Sequence, residues 1–97
     1  MPYKIEVRPL ATLEIIEAYD WYESKKVGLG LDFLNELEAF YKNLLINPQT
    51  HSYYEKPVRQ GQIKRFPYTV VYEVFDMTIV IYSVFMSHQN PVKKRTM

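Results

Sequence analysis

Apolar and polar positions alternate along the start of the chain, Tyr3-Lys4-Ile5-Glu6-Val7, which predicts a first strand stopped at Pro9. From Ala11 the period changes. Ala11, Ile15, Ala18 and Tyr22 are spaced four, three and four, so they share one face of a helix, with Thr12 placed to cap it. That pattern fades by Lys26, and Gly28-Leu29-Gly30 breaks the chain. Phe33, Leu37, Phe40 and Leu44 repeat the same spacing. They predict a second helix that opens near Asp32 and ends at Asn47-Pro48, since a residue before proline is pushed out of the α region. So short a break between two helices implies an antiparallel hairpin.

Beyond Pro48 the residues are β formers. Tyr53-Tyr54, broken by Pro57, then Val58-Arg59, predicts a short strand near an edge, and Gly61 is read as a turn. Ile63 to Phe75 reads as one long strand with a bulge or bend at Pro67. Thr78 to Met86 is nearly all apolar, as a central strand covered on both faces would be, and Asp76-Met77 forms the hairpin before it. Asn90-Pro91 ends structure and leaves a basic tail at 92–97. The order β-α-α-β-β-β predicts one α+β domain over residues 1–91, a helical hairpin packed on one face of a mostly antiparallel sheet.

Composition narrows the function classes. With 97 residues the chain holds one domain, and a hydrophobic fraction of 47% marks a folding sequence. There is no cysteine, so disulfides and thiolate metal sites are excluded. The start MPYKIEVRPL lacks the basic and apolar regions of a signal peptide, and no apolar stretch is long enough to span a membrane; a cytoplasmic protein is expected. Residues 1–50 carry five Lys/Arg and eight Asp/Glu, net −3; residues 51–97 carry seven and three, net +4. The basic half implies an anionic contact surface, or strands solvated by lysine.

No phosphate-binding glycine loop is present. His51 and His88 lie far apart without metal-ligand spacing, so each is read as a surface or structural residue, and neither metal nor cofactor is expected. Glu36 and Glu38 do not face each other on a helix, which leaves a carboxylate-pair glycosidase unsupported.

Four blocks carry a resemblance. They are Glu17-Ala18-Tyr19-Asp20-Trp21-Tyr22-Glu23, the run Gly28 to Glu38, then Val58-Arg59 with Lys64-Arg65-Phe66-Pro67-Tyr68, and Val84-Phe85 leading to Asn90-Pro91. In this order, over almost the whole chain, they resemble the RelE/ParE superfamily of plasmid-stabilisation toxins. The resemblance implies the toxin of a two-gene toxin–antitoxin module, restrained by a cognate antitoxin protein and able to form a homodimer within that complex. ParE-like members act on DNA gyrase without nuclease chemistry; RelE-like members cut messenger RNA on the ribosome. The first two blocks look more ParE-like. Related sequences carry His after the Val-Phe pair, Arg before Asn-Pro and a nearby Trp; this chain has Met86, Gln89 and no such Trp. A third reading, a degenerate toxin kept as a binding module, rests on those departures.

Were the chain a nuclease, 2′-OH attack would need a base, an acid and a cation at the phosphorane. The candidates are Arg59, Lys64 and Arg65 for charge, Tyr68 or His88 for proton exchange, and Glu55 as base. Lys64 and Arg65, adjacent on a strand, would point to opposite faces. Against this, all three cations can instead solubilise strands or bind antitoxin carboxylates. Trp21 falls off the core stripe, beside Glu14 and Glu17, and is expected to pack into the hairpin. An antitoxin helix would find room over Leu13, Ile16, Trp21, Leu34, Tyr41 and Leu45, and an added strand would find it near Val58.

Overall fold

A computed structural model describes residues 3–87. His88, Gln89, Asn90-Pro91 and the basic tail lie outside the described residues.

Strand β1 (Lys4–Val7) leads into helix α1 (Pro9–Lys25). The helix starts two residues before the first apolar repeat because Pro9 occupies its first turn, where a missing N–H costs nothing and a fixed φ suits the helix. Pro9 therefore opens α1 as well as closing β1. Thr12 does not cap it; Arg8 is the N-cap residue, and its side chain makes no capping hydrogen bond. Helix α2 (Leu29–Ile46) likewise begins earlier than Asp32, which sits in its first turn, where a carboxylate suits the dipole. Gly28, at φ 91°, makes the reversal between the helices in a conformation that glycine alone adopts freely. The helix ends at Asn47, as Pro48 dictates.

The sheet has five strands in the order β1-β5-β4-β3-β2, with β1 parallel to β5 and every other pair antiparallel. The added element is a hairpin. Residues 53–59 form two strands, β2 (Tyr53–Glu55) and β3 (Val58–Gln62), turning at Lys56-Pro57, so the true edge is β2. Gly61 is no turn. It lies in β3 beneath α2, where a Cβ would stand 2.7 Å from His51 Nδ1 and 2.8 Å from the Phe40 ring. Nor does a strand run through Pro67: residues 63–67 form a loop, and β4 (Tyr68–Phe75) starts after it. The bulge lies farther on, between Val71 and Tyr72, opposite β5 (Thr78–Met86). Asp76-Met77 does make the β4–β5 hairpin.

Both helical stripes reach the core as spaced. Ala11 and Ala18 of α1, and Phe33, Leu37, Phe40 and Leu44 of α2, are buried against Val70, Tyr72, Ile79, Ile81 and Val84. Strand β5 lies inside the sheet, between β1 and the central β4, but joins this core through one face only, because the hairpin covers one side of the sheet.

Candidate functional site

Two regions hold the residues that the sequence singles out: the loops around β3, and the outer side of the helical hairpin.

Arg59 extends from β3 across the chain that enters β2. Its guanidinium donates to the carbonyls of His51 (2.7 Å) and Gln49 (3.3 Å) and to the Tyr53 hydroxyl (2.9 Å). It also lies over the Tyr53 ring at 4.2 Å. These contacts fasten the loop after α2 to the sheet. Arg65 occupies the 63–67 loop at φ 71° and turns back to α2, 3.7 Å from Asp32 and 3.3 Å from Glu36. Because Lys64 and Arg65 lie in a loop, the opposite-face argument for strand neighbours does not apply to them. Lys64 lines a cavity of about 160 Å³ with Glu36, Asn43, His51 and Gln62.

Tyr68 is 7% exposed and packs into the core, 5.1 Å from the Phe33 ring and 6.1 Å from Tyr22. Burial, and then the adjacent Tyr22 phenol, raise its pKa above the usual tyrosine value. Glu55 is exposed on β2. Arg59, Arg65 and Tyr68 are thus each held by a different set of partners, and His88 lies outside the described residues.

His51, read from sequence as a surface or structural residue, is half-buried against Phe40 with ring centroids 5.1 Å apart, and near Tyr72 at 6.1 Å. Burial first, then the Arg59 charge, lower its pKa, which keeps the imidazole neutral at pH 7. Its place next to Arg59 and Gly61 follows from strand register, which no local motif discloses.

On the hairpin, Val7, Thr12, Ile15, Ile16, Leu34 and Tyr41 line an apolar groove of about 330 Å³. It continues past Ile15, Ile16 and Leu34 to Tyr19 and Leu31. Ile16 is 51% exposed. The Tyr41 hydroxyl is buried without a hydrogen-bond partner among the described residues, and burial pushes its pKa up to about 12. Trp21 does not pack into the hairpin. It is 52% exposed, with the Lys25 ammonium 4.0 Å from its ring centroid.

Glu23, in the same block as Trp21, has a structural task. Its carboxylate accepts the backbone N–H groups of Gly28 (3.0 Å) and Gly30 (2.9 Å), capping α2 from α1. Gly30 allows the helices to close up, since a Cβ there would lie 2.8 Å from the Tyr19 ring.

No helix among the described residues is long and apolar enough to cross a membrane. The sequence matches no protein-family model and no curated protein. Solved structures do match. A chain of the chromosomal ParDE toxin–antitoxin system of P. aeruginosa superposes with a TM-score of 0.75 at 17% identity, over 87% of this chain and 95% of that one. The isolated E. coli RelE toxin gives a TM-score of 0.67, also at 17% identity, over 97% of this chain and 94% of that one. What those likenesses establish, together with the helical hairpin on its mostly antiparallel sheet, is that this chain has the RelE/ParE toxin fold.

Proposed function

We propose that the chain is the toxin of a type II toxin–antitoxin module, ParE-like in action. It arrests growth in the cytoplasm by binding an essential macromolecule such as DNA gyrase, and a cognate antitoxin neutralises it. The observation that carries the ParE-like choice is the internal use of the polar candidates. Arg59 and Arg65 are engaged within the chain and Tyr68 lies in the core. A nuclease needs such groups aimed at a scissile phosphate. The apolar groove on the hairpin supports the antitoxin half of the reading, because an amphipathic helix can lay its apolar face there.

The deciding experiment is gyrase supercoiling with purified protein, together with mapping of messenger RNA ends after induction. Inhibited supercoiling with intact messages is expected. Cuts at ribosomal A-site codons with unimpaired supercoiling would overturn the reading. They would favour a RelE-like endoribonuclease, for which one observation speaks: Lys64 and a neutral His51 line the same cavity. In that case Lys64→Ala would relieve toxicity.

A further inference from the structure

The loop that follows α2 is tied to β3 at several points. The Gln60 N–H donates to the Ser52 carbonyl at 3.0 Å, and Arg59 holds the carbonyls of Gln49 and His51 from the same strand. Between loop and strand lies a cavity of about 350 Å³, lined by Thr50, His51, Ser52, Gln60, Gln62 and Thr69. These bonds fix its walls in advance, so little ordering is left for a ligand to impose.

The lining is polar, yet among the described residues it includes no carboxylate, lysine or arginine. His51 is kept neutral at pH 7 by its burial and by the Arg59 charge. The Thr50 and Thr69 hydroxyls already meet the Asn47 carbonyl (3.2 Å) and the Ser87 hydroxyl (2.9 Å). Gln60 and Gln62 lie two residues apart on β3 and so share one face of the sheet. Each carboxamide offers both a donor and an acceptor. In register, Gln62 stands opposite Thr69, and Thr69 opposite Phe85 of β5. A carboxamide, a short threonine and a half-buried aromatic residue thus form one row across three strands.

These features select a ligand. An anion gains little from a lining without positive charge, and a nucleic-acid strand needs cations along its phosphates. Arg59 and Arg65 are engaged within the chain. A planar heterocycle with donor and acceptor on one edge meets a carboxamide in two bonds, as adenine meets glutamine. An aromatic side chain nearby suits its flat face. We propose that this cavity binds a free purine nucleoside, the Gln60 and Gln62 carboxamides reading the edge of the base and Phe85 lying toward its face. The ligand bridges β3 and the loop after α2, the junction that Arg59 already fastens. The site does not depend on the toxin reading, since neither antitoxin nor gyrase enters it.

The test uses the full chain, ¹⁵N-labelled, with adenosine, AMP, ribose and a short single-stranded oligoadenylate as probes. Adenosine is expected to shift the amide resonances of Ser52, Gln60, Gln62 and Thr69. AMP should bind no more tightly than adenosine, and ribose should shift nothing. Gln62→Leu should weaken adenosine binding about five- to tenfold through the lost polar partner. Gln62 is exposed, so an unchanged urea midpoint should accompany that loss. Gln62→Lys supplies the missing charge and should reverse the order, favouring AMP over adenosine. Absence of adenosine shifts at these residues would overturn the proposal, as would undiminished binding in Gln62→Leu. Ribose binding as tightly as adenosine would make the ligand a polyol. An oligoadenylate that binds far more tightly than adenosine would place the base in an RNA strand, and the free-nucleoside assignment would fall.

Discussion

Helices α1 and α2 have nearly the same length and lie side by side, yet they distribute their apolar residues differently. In α2 four large ones, Phe33, Leu37, Phe40 and Leu44, point inward and are buried, and the exposed ones, Leu31, Leu45 and Ile46, lie toward its ends. In α1 the buried positions are the two alanines, Ala11 and Ala18, while Leu10, Leu13, Ile16 and Trp21 are exposed. Small inward residues bring α1 close to β5, near enough for Glu14 to reach its edge. A helix that is apolar nearly all round belongs in an interior. Helix α2 completes its interior within this chain. Helix α1 completes half of its own and leaves the rest for a partner.

The comparison is sharpest at Phe33 and Ile16. Phe33 is fully buried among Tyr22, Phe66 and Tyr68. Phe33→Ala should cost about 3–5 kcal/mol in urea unfolding through lost burial and a residual cavity. Ile16→Ser should change stability by no more than about 0.5 kcal/mol, yet weaken capture of the antitoxin. An Ile16→Ser loss as large as that at Phe33 would break the comparison, because α1 would then be as self-contained as α2.

Next comes the junction of the two helices. Glu23→Ala removes the acceptor for two N–H groups at the start of α2. A charge-assisted cap of this kind contributes about 1–2 kcal/mol. Thermal unfolding should show that loss, whereas Glu17→Ala, on the exposed side of the same helix, should show almost none.

Tyr41 lines the groove from α2 with an unpartnered hydroxyl. Tyr41→Phe removes a buried polar atom that forms no bond, so the free protein should gain about 1 kcal/mol. A loss instead would show that the hydroxyl is satisfied in solution, and the groove would be wetter than its lining indicates.

Periodicity disclosed what is local. Ala11 to Tyr22 and Phe33 to Leu44 gave the helical faces because burial repeats with the helix turn. Proline misled twice for one reason: it ends one element and opens another, as Pro9 does, or sits in the loop between strands, as Pro67 does. Gly61 was misread because a glycine in a strand can mark a close approach rather than a turn, and what approaches, His51 and Phe40, is distant in sequence. The same limit governs the site residues. The sequence marks Arg59 and Arg65 as cations; only tertiary structure shows that loop carbonyls and α2 carboxylates already hold them.

The smallest expected effect lies at the far end of α2, where His51 rests on Phe40. Burial and then the Arg59 guanidinium depress its pKa below the ordinary 6.5, while the unfolded chain retains the ordinary value. As pH falls through 6.5 the unfolded state takes up a proton that the folded state still refuses. Stability is therefore lost on acidification, and the loss levels off once the pH passes below the folded pKa. Glu36 and Lys64 share the adjoining cavity, so His51→Gln serves as the control that separates the imidazole from them. Urea midpoints at pH 7.5, 6.5 and 5.5 isolate the imidazole. The parent should lose stability across that range, and His51→Gln should lose less. Parallel slopes for the two proteins would mean that His51 is hydrated in solution, and α2 would then be as open at its C-terminal end as α1 is along its outer side.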